Sequence, residues 1–336
     1  MINTPCARSK RAVMPWFLMA CLAFAFAFAM ASSAFAQSGT PAGHYSIAAS
    51  AYENGKYTAA RRGYQRACDG GYAWGCTDWA AMLRKGEGGS VDLPAARRAY
   101  SRACDGQNSV GCTSLGVMLN NGEGGPADLP AARGAYDRGC GIGSAQACYY
   151  LGRMLGFGRG GAVDIPAARN SFKKACEQRH ADGCFTFGTM LYTGEGGPAD
   201  LPAARNAFDS ACKRGNAQSC TNIGLMHTRG EGGPEDWAAA RVVLKPACDG
   251  GDALGCHNLA RAMYFGRGGA ADLNAARILF KQGCDGAIAT SCANLGLMLV
   301  NGEGGPVDLP KARIALQSAC EAGEKAACDA LEKVAQ

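Results

Sequence analysis

Sixteen cysteines set the frame in which this chain can fold. They stand at 68/76, 104/112, 140/148, 176/184, 212/220, 248/256, 284/292 and 320/328. The members of each pair are eight residues apart, and each pair follows the last by 36 residues without insertion or deletion. Other columns keep the same period. The loop Gly-Glu/Arg-Gly-Gly recurs at Gly86, Gly122, Gly158, Gly194, Gly230, Gly266 and Gly302. An aspartate recurs at Asp92, Asp128, Asp164, Asp200, Asp236, Asp272 and Asp308. An arginine recurs at Arg61, Arg97, Arg133, Arg169, Arg205, Arg241, Arg277 and Arg313. A period in this range means a solenoid, in which one small unit buries its apolar face against copies of itself. The repeated loops also account for a glycine content of 48 in 336 residues. No Gly-X-Y period accompanies it, so a collagen-like fold is excluded.

Each unit reads as two helices. Between Ser109 and Cys140, helix A is predicted over about 109–120, with Leu115, Met118 and Leu119 as its apolar stripe. Gly122-Glu123-Gly124-Gly125 ends it, because glycine enters left-handed backbone that other residues resist. Asp128 is placed to cap helix B, and Pro130 falls in its first turn, where no amide is needed. Helix B then runs to about Cys140, with its large core residue in the column Tyr64, Tyr100, Tyr136, Phe172, Phe208 and Phe280. Gly116, Gly152, Gly188, Gly224 and Gly296 recur inside helix A, where glycine costs about 1 kcal/mol. Their recurrence predicts close approach by a neighbouring helix. The Asp column is read as capping and the Arg column as a tie between neighbouring hairpins. The loop acids Glu87, Glu123, Glu195, Glu231 and Glu303, which alternate with Arg159 and Arg267, are read as solvated turns. The unit from Asp236 to Cys256 is irregular, with Trp237 in place of Leu and Pro246 in the last turn of helix B.

In an up-down array, the end of helix B lies beside the start of the next helix A and of its own. Cys104 could therefore meet Cys112 or Cys76. The first scheme pairs all sixteen of these cysteines, leaving aside Cys6 and Cys21 of the leader: Cys68-Cys76, Cys104-Cys112, Cys140-Cys148, Cys176-Cys184, Cys212-Cys220, Cys248-Cys256, Cys284-Cys292 and Cys320-Cys328. The second strands Cys68 and Cys328, so the first is preferred. The expected layout is a leader (1–36), a flexible tail (37–48), a shortened first unit (49–70), full repeats over about 73–324 and a capping helix (326–336).

The leader has the three parts of an export signal. Arg8, Lys10 and Arg11 form a basic start, an apolar run follows over about 12–31, and Ala34-Phe35-Ala36 precedes Gln37. The small-residue site directly after the apolar run favours cleavage after Ala36 over a retained anchor. Leu18-Met19-Ala20-Cys21 only loosely matches a lipobox, and the apolar run continues past it. The product is expected in the periplasm or outside the cell, where disulfides persist. Half of the formal charge of +6 lies in this leader. The remainder is scattered, which argues against a nucleic-acid partner.

The pattern resembles Sel1-like repeats, and most closely the disulfide-bridged group known as Helicobacter cysteine-rich proteins. The matching residues are the eight-spaced cysteine pair, Leu115-Gly116, the Gly-Glu-Gly-Gly loop, the Asp-Leu-Pro-Ala-Ala-Arg start of helix B and Ala103-Cys104 at its end. The match covers about 49–336. It implies an all-α, α/α superhelical solenoid related to tetratricopeptide repeats, with one disulfide per repeat. It also implies either host-facing or envelope interactions, or β-lactam binding with slow hydrolysis, since the family is often labelled β-lactamase.

Comparing the units with one another locates a variable face. The columns at 115, 118 and 119 stay mainly apolar, whereas those at 113, 114, 117, 120 and 121 vary and share one helical face. Across the repeats that face supplies the candidate groove residues Tyr150, Arg153, Phe157, Tyr192, Asn222, Arg229, Asn258, Arg261, Phe265 and Asn294. In related repeats helix A lines the concave groove, and asparagine there resembles one that holds a bound peptide's backbone. Asparagine can both donate and accept, arginine can hold a carboxylate by two prongs, and aromatics can seat apolar anchors. The expected function is a scaffold that binds a peptide or protein partner, with no cofactor, metal or membrane span. The alternatives are binding and slow hydrolysis of β-lactams or cell-wall peptides, and a purely structural envelope role.

Signals for catalysis are poor. Ser171-Phe172-Lys173-Lys174 matches Ser-x-x-Lys, but no Lys-Thr-Gly accompanies it. Ser171 occupies an alanine and glycine column, so it is expected between helices. His44, His180, His227 and His257 show no metal spacing, and Cys-x-x-Cys is absent.

Overall fold

The computed structural model describes residues 39–335, so the expected leader lies outside the described residues. The described residues form seventeen α-helices and no strand. The chain divides into two compact bodies, one containing residues up to 111 with 123–125, the other 112–122 with 126 onward.

The first body contains α1 (Pro41–Glu53), α2 (Tyr57–Asp69), α3 (Ala73–Lys85) and α4 (Leu93–Asp105). Helix α5 (Ser109–Asn121) runs across the division. The second body contains α6 (Leu129–Gly141), α7 (Ala145–Gly156), α8 (Ile165–Glu177), α9 (Ala181–Thr193), α10 (Leu201–Cys212) and α11 (Ala217–Arg229). It continues with α12 (Trp237–Asp249), α13 (Ala253–Tyr264), α14 (Leu273–Asp285), α15 (Ala289–Asn301), α16 (Leu309–Glu321) and α17 (Lys325–Ala335). Odd-numbered helices are the A helices, and even-numbered helices are the B helices.

The N-terminus departs from expectation. Residues 41–48 are not a flexible tail but the first half of α1. Thr40 caps this helix through its side chain and Pro41 occupies its first turn. Tyr45 packs against Tyr64 and Tyr72 at ring distances of 5.4 and 5.1 Å, and Ala48 is fully buried. The unit carries neither the cysteine pair nor the glycine loop in its first helix, so the columns do not mark it. Its spacing of Tyr45, Ala48 and Tyr52 nevertheless supplies one apolar face. At the other end, α17 is the last described helix of the array.

Three columns hold the repeats together. The Asp column caps helix B: Asp128 Oδ1 accepts from the Ala131 amide at 2.9 Å, and Asp92, Asp164, Asp200, Asp236, Asp272 and Asp308 do the same. Each such cap is worth about 1 kcal/mol. The Arg column reaches the loop of the following hairpin. Arg61 donates to the Ser90 carbonyl at 2.9 Å, and Arg169 and Arg277 reach the Pro198 and Pro306 carbonyls at 2.9 and 3.0 Å. Within each body the disulfides join a helix B to the next helix A. Seven bridges from Cys68-Cys76 to Cys320-Cys328 have Cα separations of 4.3–4.8 Å, ordinary for cystine. Cys104 and Cys112 are disulfide-bonded as well. On the chain-entropy account, an eight-residue loop is worth about 2.5 kcal/mol per bridge.

The helix-A glycines answer to the large side chain of helix B, a ring at Gly116, Gly152 and Gly188 and a leucine at Gly224 and Gly296. A Cβ on Gly152 would lie 2.8 Å from Phe172 Cε1, and one on Gly116 would strike Tyr136. The large residue of helix B thus lies across its own helix A, and the missing side chain makes room for it. Where helix A carries alanine instead, at Ala80 and Ala260, that residue is fully buried.

Candidate binding face

The variable columns of helix A open into three successive clefts in the second body. The first, about 190 Å³, is lined by Asn120, Tyr136, Tyr150, Arg153, Phe157 and Arg159 among others. The second, about 460 Å³, is lined by Tyr149, Arg153, Phe157, Phe172, Met190 and Glu195 among others. The third, about 230 Å³, contains Tyr192, Asn222 and Arg229, with Phe208, Met226 and Glu231. Six of the ten residues selected from sequence therefore line clefts: Tyr150, Arg153, Phe157, Tyr192, Asn222 and Arg229.

The aromatic character of the middle units has a structural basis. Tyr149 stacks on His180 at 4.6 Å and contacts Tyr150 and Phe172, while Arg153 lies 5.8 Å above its ring. Tyr136 lies beneath Tyr150 at 5.1 Å, and burial pushes its phenol well above the usual range. Phe157 stands out at 73% exposed. Tyr192 donates to Glu231 at 3.1 Å, which also faces Arg229 at 3.7 Å, so the third cleft is internally charge-balanced.

The other four selected residues behave differently. Asn258 is buried, and its side-chain amide donates to the Leu254 carbonyl of its own helix at 2.8 Å. It is therefore not disposed to hold a peptide backbone. Its neighbour His257 is buried too, with Nδ1 2.7 Å from Ser291 Oγ. Burial and nearby Arg261 push the His257 imidazole down to about 4. Arg261 and Phe265 are exposed and Asn294 is half-buried, without joining a described cleft.

Four of the five loop acids are held by side-chain partners. Tyr52 donates to Glu87, Arg84 to Glu123 and Tyr264 to Glu303, as Tyr192 does to Glu231. In three of these pairs donor and acceptor are 39 residues apart, so each acid is held by the end of the previous helix A. Reading the residues as separate columns concealed these pairs. A search for complementary residues at that offset would have found them.

No group of three or more His, Cys, Asp or Glu side chains is arranged to hold a metal among the described residues. The Ser-x-x-Lys match does not assemble, because Ser171 is buried and donates to the Ala167 carbonyl while Lys174 is exposed. His227 instead faces Arg205, and burial together with that guanidinium pushes its imidazole down.

These features define a cystine-bridged α/α repeat protein. The chain belongs to the Sel1 repeat family, whose model matches residues 75–108, 109–134, 145–180, 183–216, 217–252, 253–287 and 289–324. Among solved structures it is similar to a protective antigen of uropathogenic Escherichia coli with an SLR fold. That match has 28% identity and a TM-score of 0.72, over 81% of this chain and 58% of the other. This chain thus spans little more than half the antigen's length. It is also similar to a Sel1 repeat protein from Oxalobacter formigenes, at 23% identity and TM-score 0.64, over 98% and 97% of the two chains. Helicobacter pylori cysteine-rich protein B matches 39% of this chain and 93% of its own at 26% identity, with a TM-score of 0.32. No curated protein matches the chain. A cystine in every repeat points to an oxidising, extracytoplasmic compartment, and no described helix is long and apolar enough to cross a membrane.

Proposed function

We propose that this protein is an exported interaction scaffold whose helix-A face binds a peptide or protein segment. The observation that supports this most directly is the run of three clefts between successive A helices, lined by residues that vary from repeat to repeat. The repeat frame keeps its caps, ties and cystines constant while that one face changes, which is how a repeat scaffold acquires a partner without altering its fold. Sel1 repeats as a class are protein-interaction modules, which agrees with this reading. The leader and cleavage after Ala36 are part of the proposal.

The test uses the oxidised protein with a photo-crosslinking residue at position 157, and at exposed position 62 on α2 as a control. Peptide or protein adducts at 157 but not at 62 are expected. They should be lost in Tyr150→Ala, Tyr192→Ala, Arg229→Ala, with the melting curve little changed. Equal labelling at both positions would sink the reading. Steady nitrocefin turnover abolished by one substitution would replace it with a hydrolase.

A further inference from the structure

We infer that the loop bearing Phe157, with the two clefts beside it, is a receptor for an acidic protein segment carrying a large apolar residue next to its carboxylates. This rests on the reading of the helix-A face as a binding surface and specifies the partner's chemistry.

The argument comes from two departures from the repeat at one place. The first concerns charge. The second residue of the glycine loop is acidic at Glu87, Glu123, Glu195, Glu231 and Glu303 and basic only at Arg159 and Arg267. Arg267 is engaged by aromatic rings, its guanidinium lying 4.7 Å above the Trp237 ring and 5.7 Å above Phe265. At Arg159 the Trp237 column holds Leu129, and the residue 39 positions earlier is Asn120. Arg159 is exposed and shares the first cleft with Arg153, with no carboxylate among the lining residues. Two guanidiniums and two asparagine side chains in one acid-free cleft favour an anion, and guanidinium suits carboxylate in particular because it binds with two parallel hydrogen bonds.

The second departure concerns volume. Gly156 occupies the column of Tyr192 and Tyr264, whose rings reach across to the next loop acid. Packing does not require glycine here, since a Cβ on Gly156 would meet only Ala168, at 3.8 Å. The absent side chain leaves the 460 Å³ cleft open over Tyr149, Phe172 and Met190, with Glu195 at its edge. Phe157 and Arg153 border both clefts. A carboxylate held on the Arg153–Arg159 side and an apolar side chain seated on the Phe172 side would use both at once. An apolar body with few well-placed polar contacts is the usual composition of such a site.

The experiment measures fluorescence anisotropy of end-blocked, fluorescein-labelled peptides against the oxidised full chain. Three sequences are compared: Glu-Glu-Leu-Phe-Glu-Glu, Lys-Lys-Leu-Phe-Lys-Lys and Glu-Glu-Ser-Ser-Glu-Glu. The first is expected to bind at least tenfold more tightly than the other two. Gly156→Tyr and Arg159→Glu restore residues that neighbouring repeats carry at these positions. Each should weaken binding at least tenfold while leaving the circular dichroism and melting curve intact. Arg267→Glu should leave binding unchanged. Equal binding of the acidic and basic peptides, or no binding of any, would overturn the inference. So would a loss in Arg267→Glu equal to that in Arg159→Glu. Binding abolished only by Tyr192→Ala, Arg229→Ala would overturn it too, but would leave the helix-A reading standing.

Discussion

The loops at 157–161 and 265–269 have the same five residues, Phe-Gly-Arg-Gly-Gly, and each ends a helix A one residue earlier than in most repeats. Around the second loop the neighbours close in. Tyr264 packs edge-on against Phe265 at 4.9 Å and bonds Glu303 at 2.8 Å, and Arg267 lies over the Trp237 ring. On the same helix, His257 and Asn258 are drawn into the core. Around the first loop the corresponding neighbours are Gly156 and Leu129, and Tyr149 occupies the His257 column. Phe157 and Arg159 are left at the edges of open clefts. An identical loop can therefore have its side chains engaged by neighbouring rings or stand at the edge of open clefts. The choice lies in residues 20 or more positions away in sequence or at the end of the preceding helix, because helix ends from adjacent repeats meet there.

That contrast can be broken most severely from beneath. Gly152→Val would drive a branched side chain into Phe172, the floor of the larger cleft. It should lower the unfolding free energy by roughly 2–4 kcal/mol in urea titrations. A loss below about 0.5 kcal/mol would mean that the ring moves freely and the cleft has no fixed floor.

The closed side depends on a buried polar pair. His257→Ala leaves Ser291 Oγ buried and unpartnered beside a cavity, and should cost about 2–3 kcal/mol. Adding Ser291→Ala should recover part of that loss. The imidazole is held neutral, with its folded-state pKa below the unfolded value. Its contribution is thus fully present above about pH 6.5 and is lost as pH falls from there toward about 4. Chemical denaturation across that window should show a steeper loss in the wild type than in His257→Gln. Parallel curves would place the His257 proton elsewhere.

Conversion of one loop into the other is a smaller perturbation. Trp237→Leu removes a cation–π contact worth about 0.5–1 kcal/mol, and Tyr264→Gly empties the surface beside Phe265. The double variant should acquire affinity for the acidic, apolar peptide, read by the same anisotropy assay. Failure to do so would show that Tyr149, where the other repeat has His257, and not the loop carries the difference.

The smallest effect separates two asparagines in one column. Asn258→Ala removes a buried hydrogen bond and should cost about 1 kcal/mol. Asn222→Ala, in a half-buried position facing its cleft, should change stability by less than about 0.5 kcal/mol. Equal costs would mean that the two faces are not distinct.

Much of the frame was legible because it is periodic and local. The Asp caps act three residues along the chain, and cysteines eight apart meet through one turn between helices. The arginine column repeats a single tie. The packing at the cystine crossings was not legible in advance. Where the later helix carries Gly111 or Gly183, the earlier one carries Ala103 or Ala175; where the later carries Ala147 or Ser291, the earlier carries Gly139 or Gly283. This exchange keeps the summed bulk small at a point where two helices nearly touch. It becomes visible only once the two positions are known to face each other.

The sequence by itself determined the repeat, its helices, its caps, its cystines and the face that varies, since each follows from spacing along one chain. Tertiary structure decided which parts of that face are open. Exposure depends on what reaches in from the neighbouring repeat: a tyrosine ring, a tryptophan, a histidine bonded to a serine, or nothing at Gly156.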